Sequence, residues 1–241
     1  MTAGSIISQL GDIHHWQEVV AEYAERFYHR RAKLSAYQEL LNSAEPLRLV
    51  RRIADGTFQP TPPTRKQINK ASGKKKIIYA YPPREDLLFK VLNRLLQSDC
   101  ADLVSPLCFS FQSGRSAIDA FRHLLDDRQI QRKHCLHMDV RDYFNSIDVN
   151  RFLTTLPGAL RHDEPLFNLV RATLTDPRVC TEDGIAQVEQ KGLMAGTPLA
   201  PFFSNLFLRD LDEHFRAGHV AYARYSDDMI VFGSRSEIVE A

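Results

Sequence analysis

Long apolar runs are missing from this chain. No stretch reaches the roughly 18 consecutive apolar residues that a membrane-spanning helix needs, and the opening MTAGSIISQLGDIHHW has neither the basic start nor the unbroken apolar middle of an export signal. Insertion into a membrane and secretion are excluded on this reading, which leaves a soluble, cytoplasmic protein. Cysteine is scarce: Cys100, Cys108, Cys135 and Cys180 stand far apart with no Cys-x-x-Cys pair. That spacing excludes a zinc-ligand set and a secreted disulfide framework, and it fits a reducing compartment. Repeats and low-complexity tracts are absent. An excess of either charge is absent too, with 31 Lys and Arg against 30 Asp and Glu, so net charge does not advertise a nucleic-acid partner. What remains, 241 residues of which 44% are hydrophobic, is enough to bury a core without staples.

The charge balance hides a polarity. Residues 61–100 carry nine Lys or Arg against three acids, whereas residues 205–241 carry four Arg against seven acids. A basic segment and an acidic one in one chain suit a site where a polyanion meets a carboxylate-bound metal; the alternative is ordinary surface variation.

Apolar spacing predicts helix over 12–55, with a break at Pro46, and then an extended connector in GTFQPTPPT. INKASGKKKIIYAYPP reads as a basic hairpin turning at Ser72-Gly73. Residues 84–98 form an amphipathic helix with Leu87, Leu88, Val91, Leu92, Leu95 and Leu96 on one face, and another helix follows the turn Gln112-Ser113-Gly114. CLHMDV is a short strand, Asp148 caps a helix in DVNRFLTTL, and 165–175 is helical. Thr181 to Gly184 turns between two short strands, Ala200 to Phe215 is one apolar helix, and AYARY, SDD and MIVFG make a hairpin. The order predicts an α+β fold with an antiparallel sheet backed by helices.

Three features bear on chemistry. Tyr225-Ser226-Asp227-Asp228 joins two strands apolar enough to be buried. Asp and Ser favour turns for local reasons, but two carboxylates at the end of a core hairpin are costly unless a cation neutralises them. Asp139 ends an apolar strand; it is either an edge residue or cap, or, joined in space to the hairpin acids, part of an oxygen-rich Mg²⁺ site. Two such ions can activate a 3′-hydroxyl and stabilise a leaving pyrophosphate. The loop Lys191 to Pro201 has small residues at 192, 195 and 196 that permit close backbone approach by a base pair or nucleotide, or it is simply a loop with a Pro-initiated helix.

Together these stretches resemble the reverse transcriptase family, most closely its bacterial group II intron, retron and defence-associated branch. Asp139 with Phe144 five positions on, the glycine loop leading into FFSNLFLRDLD, and the Tyr225-Ser226-Asp227-Asp228 hairpin match the family's palm motifs in order. SGKKKIIYAYPPRED resembles its fingers hairpin and SFQSGRSAIDA the stretch before the palm strand. The resemblance covers residues 50–241 and implies a right-hand fingers-and-palm architecture: a helical extension over 1–60, fingers over 61–112 and 145–189, palm over 113–144 and 190–241, and no thumb, the chain stopping just after the hairpin.

It also implies an RNA-directed DNA polymerase. Asp139, Asp227 and Asp228 would be the catalytic, metal-binding triad, with the Val140 carbonyl on one of two Mg²⁺ ions, or Mn²⁺. Lys74, Lys76, Phe144 and Gly196 would contact the nucleotide, Phe144 by rejecting a 2′-hydroxyl. Arg115 and Tyr225 would contact nucleic acid. The implied partners are an RNA template, a DNA or RNA primer, dNTPs, and a cognate non-coding RNA or defence or mobile-element proteins, with no membrane. The family's Pro-Gln-Gly is here Met194-Ala195-Gly196, so the glutamine is missing. That departure leaves a template-independent or protein-primed polymerase as the alternative enzyme, and a non-catalytic nucleic-acid-binding palm as the alternative outside enzymes.

Overall fold

The computed structural model describes residues 5–69, 73, 75–218 and 220–240. Four helices open the chain: α1 (Ile6–Leu10), α2 (Ile13–Arg26), α3 (Arg31–Leu41) and α4 (Glu45–Ala54). The Ser5 and Asp12 side chains accept the Ser8 and His14 N–H groups and so start the first two. The long helical stretch expected here is divided at residues 27–30 and 42–44. Pro46 does not break it: the proline lies in the first turn of α4, where its missing N–H forfeits no bond.

Residues 57–63 carry no regular structure, and β1 (Thr64–Asn69) and β2 (Lys75–Ala80) then pair antiparallel from Thr64↔Ala80 to Asn69↔Lys75. Of the turn expected between them, Ser72 lies outside the described residues and Gly73 has a φ of +78°. Helix α5 (Pro83–Asp99) buries all six of its expected apolar residues, and α1, α2 and α3 pack on it. After α6 (Ala117–Leu125) come β3 (His134–Asp139), α7 (Tyr143–Ser146) and α8 (Val149–Thr155), the last capped by Asp148, which accepts the Arg151 N–H at 3.1 Å. Next are α9 (Gly158–Arg161), α10 (Glu164–Thr175), β4 (Arg178–Cys180) and β5 (Ala186–Val188). The helix expected over 200–215 is two, α11 (Ala200–Phe207) and α12 (Arg209–Ala217). The chain turns at Leu208, which keeps α11 against α5 in the core and lays α12 along β6 (Ala221–Tyr225). The chain closes with β7 (Asp228–Gly233) and α13 (Arg235–Glu240).

The strands make two sheets. One has the order β3-β7-β6, antiparallel throughout, as expected for the carboxy-terminal half. The other has the order β2-β1-β4-β5 and is mixed, because β1 and β4 meet in parallel at Thr64↔Cys180. The whole is α+β. A single core cluster runs from Ile6 to Leu206 and joins the opening helices to α5, α8, α10 and α11. At β6 and β7 the three-stranded sheet is covered on both faces, and alternation divides its side chains between them. Ala223 packs with Ala120 and Leu124 of α6, while Tyr222, Met229 and Val231 pack with Phe215 of α12.

Candidate active site

Strands β6 and β7 are joined by Ser226 and Asp227 alone, with Tyr225 and Asp228 paired across the hairpin. Ser226 has a φ of +63°, a left-handed conformation that costs a non-glycine residue about 1–3 kcal/mol and persists only where the surroundings fix it. Asp228 is therefore not at the hairpin tip but the first residue of β7, and it lies directly across from Asp139 at the end of β3. A cleft of about 820 Å³ is lined by these two, Asp227, Val140, Phe144, Ala195, and the fingers-hairpin residues Lys75 and Lys76.

Strands β6 and β7 are largely buried as expected, but the carboxylates are not. Asp139 and Asp228 are exposed and Asp227 is half-buried. Desolvation therefore does not dominate the electrostatics here; like charge does, since two acids directly opposed on neighbouring strands repel. Asp228 Oδ1 lies 3.3 Å from His137 Nε2. Among the described residues the side chains of Asp139 and Asp227 have no hydrogen bond or ion pair, and neither do those of Lys75 and Lys76. No three His, Cys, Asp or Glu side chains among the described residues stand close enough to form a ready ligand cluster. The three carboxylates share a cleft without forming a closed shell. Their chemistry, hard oxygens with free lone pairs, fits a divalent Mg²⁺-like cation rather than a soft metal.

The glycine loop approaches its surroundings as closely as its composition suggests, but what it approaches is the chain itself. Gly192 has a φ of +53°, and a Cβ there would lie 2.3 Å from the Phe144 carbonyl oxygen. Gly196, at +95°, is packed against β2, where a Cβ would meet the Tyr79 carbonyl oxygen at 3.1 Å. Between them the Ala195 N–H donates to Asn145 Oδ1 at 3.2 Å, and the Ala195 carbonyl accepts the Tyr79 N–H at 2.8 Å. Met194 is buried with a φ of +58°, which proline, fixed near −65°, cannot adopt. Lys191 is buried as well and donates to the Arg178 carbonyl at 3.1 Å; burial lowers its pKa.

Arg115, Tyr225 and Gly196 do not line the cleft. Arg115 donates to the Pro106 carbonyl at 2.5 Å and stacks 4.1 Å from the Phe109 ring centroid, so its guanidinium is committed to its own segment. Tyr225 is 40% exposed beside the turn but outside the cleft lining, and Gly196 lies behind Ala195. Lys74 lies outside the described residues.

Two features escape the sequence reading. Lys75 joins Lys76 in the cleft, although strict alternation would send it to the other face. Behind the turn, Arg224 and Asp212 are fully buried and form a two-point ion pair, Nε to Oδ1 at 2.7 Å and Nη2 to Oδ2 at 2.6 Å. Tyr222 donates to Asp212 Oδ1 at 2.7 Å. Burial opposes charge on Arg224, yet the Asp212 hydrogen bonds and neighbouring groups hold its pKa above the ordinary value. The only sequence signal is an arginine inside an otherwise apolar strand.

A family model for reverse transcriptase (RNA-dependent DNA polymerase) matches residues 68–241. The chain belongs to the reverse transcriptase family. It is 25% identical over 169 residues to an uncharacterized 91 kDa protein in the cob intron of Schizosaccharomyces pombe, a match over 69% of this chain and 20% of that protein. Two solved assemblies share the fold, a partial Cas6-RT-Cas1–Cas2 complex and a Cas6-RT-Cas1–Cas2 complex, each with a TM-score of 0.53 and 17% identity over 95% of this chain. This reverse transcriptase chain spans 38% and 24% of the matching chains in those assemblies. No helix among the described residues is long and apolar enough to cross a membrane.

Proposed function

We propose that the chain is the catalytic fingers-and-palm region of an RNA-directed DNA polymerase that adds deoxynucleotides to a primer 3′ end. One observation carries this reading beyond family membership: unpaired carboxylates and unpaired lysines face one cleft without pairing to each other. Charges of both signs left open in this way suit a ligand that is itself divided, with phosphates for Lys75 and Lys76 and cations for Asp139, Asp227 and Asp228.

Asp139, Asp227 and Asp228, with the Val140 carbonyl, would hold two Mg²⁺ ions, or Mn²⁺. Bound there, such ions favour the 3′-alkoxide and neutralise charge on the departing pyrophosphate. The chain's own groups do the rest. Lys75 and Lys76 act as point charges that draw the triphosphate in. Phe144, half-buried against Tyr143 and Phe111, presents an apolar edge that would disfavour a 2′-hydroxyl. An RNA template, a primer and partner proteins belong to the same proposal, since the intron protein and the Cas assemblies are both far larger than this chain.

Primer extension on a primed RNA template with dNTPs and Mg²⁺ tests the reading. Incorporation should follow template sequence, favour dNTP over rNTP, and vanish in Asp227→Ala. Incorporation indifferent to template would favour the template-independent polymerase, and an Asp227→Ala chain that extends like wild type would sink the catalytic reading altogether.

A further inference from the structure

We propose that Ser110 and Arg224 are positioning residues that set the Asp227 carboxylate from behind the β6–β7 turn; the inference rests on the polymerase reading above. Ser226 precedes Asp227, and both of its backbone polar groups are held by buried side chains. Its N–H donates to Ser110 Oγ at 2.8 Å, and its carbonyl accepts Arg224 Nη1 at 3.1 Å. With both ends of that unit fixed, the left-handed Ser226 conformation is fixed, and with it the direction in which Asp227 leaves the turn.

The two clamps are themselves over-determined. Ser110 Oγ accepts the Ser226 N–H and donates to Asn205 Oδ1 at 3.2 Å, with Cys108 Sγ also within 3.6 Å of it, while Asn205 Nδ2 donates to the Ser110 backbone carbonyl at 2.9 Å. Arg224 uses all of its nitrogens: Nε and Nη2 on Asp212, Nη2 also on the Asn205 carbonyl at 3.1 Å, and Nη1 on Ser226 and, at 3.5 Å, on Asn205 Oδ1. A lysine has no planar fork and cannot reproduce this set. None of Ser110, Asn205, Asp212 or Arg224 lines the cleft. A buried ion pair is no better for stability than well-packed apolar side chains of the same volume, so holding the turn is the role this geometry supports. Such outer groups commonly change metal affinity or turnover by about 10–100-fold when removed.

Arg224→Lys is the obvious variant but risks unfolding, so Ser110→Ala, which removes one oxygen, carries the test. Both are made in the full chain and checked by thermal melting. Mn²⁺ affinity is measured by isothermal titration, and kcat and the dNTP KM by primer extension. The expected result for folded Ser110→Ala is Mn²⁺ binding weaker by about tenfold and kcat lower by about tenfold, with the dNTP KM within about twofold of wild type. Wild-type Mn²⁺ affinity in Ser110→Ala, or a raised KM with kcat intact, would overturn the proposal. If the wild-type chain binds Mn²⁺ but extends no primer, the polymerase reading fails while the Mn²⁺ comparison still decides this one.

Discussion

Asp212 on one face of the three-stranded sheet and Asp139 with Asp228 at its open end are the same residue type under opposite treatment. Asp212 has no solvent exposure and every oxygen bonded, to Arg224 and Tyr222. Asp139 is exposed, faces Asp228 across the strand pair, and has no partner among the described residues. The first arrangement satisfies a charge internally, and the second leaves charge available. The difference separates what holds the hairpin from what the hairpin presents, although all three are aspartates built around one sheet.

The largest expected effect lies on the open side. Asp227→Ala should lower primer extension by about 10³-fold or more, while urea melts shift by less than about 1 kcal/mol, because the half-buried carboxylate has no side-chain partner to lose. Equal losses of folding and activity would erase the distinction. On the buried side, Asp212→Ala leaves the Arg224 charge unpaired and should destabilise the fold by about 3–5 kcal/mol; a shift under 1 kcal/mol in the same melts would mean that the two aspartates do not differ as argued. A smaller effect of opposite sign follows from the Asp139–Asp228 opposition. Asp139→Asn should stabilise the metal-free chain by about 0.2–1 kcal/mol, by removing a like-charge cross-strand pair, and millimolar Mg²⁺ should cancel the gain.

The smallest is a pH effect at a second buried acid. Glu85 is almost fully buried; burial alone would raise its pKa, but hydrogen bonds from Arg84 and Thr61 hold it below the ordinary value. Its folded pKa is depressed, so its contribution to stability is complete above about pH 4.3, the unfolded value, and fades as pH falls through the folded pKa. Glu85→Gln should flatten the acid limb of the stability curve below about pH 4.3. An acid limb identical to wild type would remove Glu85 from the paired class.

The open side was legible and the buried side was not. Strands such as CLHMDV and MIVFG announce themselves by apolar, β-branched content, α5 by its leucine spacing, and α8 by Asp148 at its start. Asp139, Asp227 and Asp228 are legible only together: alone each reads as a turn residue or cap, and it is the order of the motifs around them that sets them apart. Arg224 and Asp212 were invisible for the complementary reason. A lone charge reads as a solvent-facing residue unless its partner is known, and the partner is twelve residues away on another element. The parallel β1–β4 contact is likewise long-range, carried by a strand of three residues. Pro46 and Leu208 misled in opposite directions, the first because a proline starts helices as readily as it stops them, the second because an unbroken apolar pattern says nothing about which neighbour each turn must meet.

The Ala195 backbone is held from both sides, its N–H by Asn145 and its carbonyl by Tyr79, at the edge of the cleft. The frame at this position does not depend on the side chain it carries. Residue 195 is nevertheless only 3% exposed, so a larger side chain must find room in the cleft or push the basic hairpin and the glycine loop apart. Ala195→Gln takes no backbone bond away, so whatever it changes comes from the volume it adds at a fitted joint between two segments.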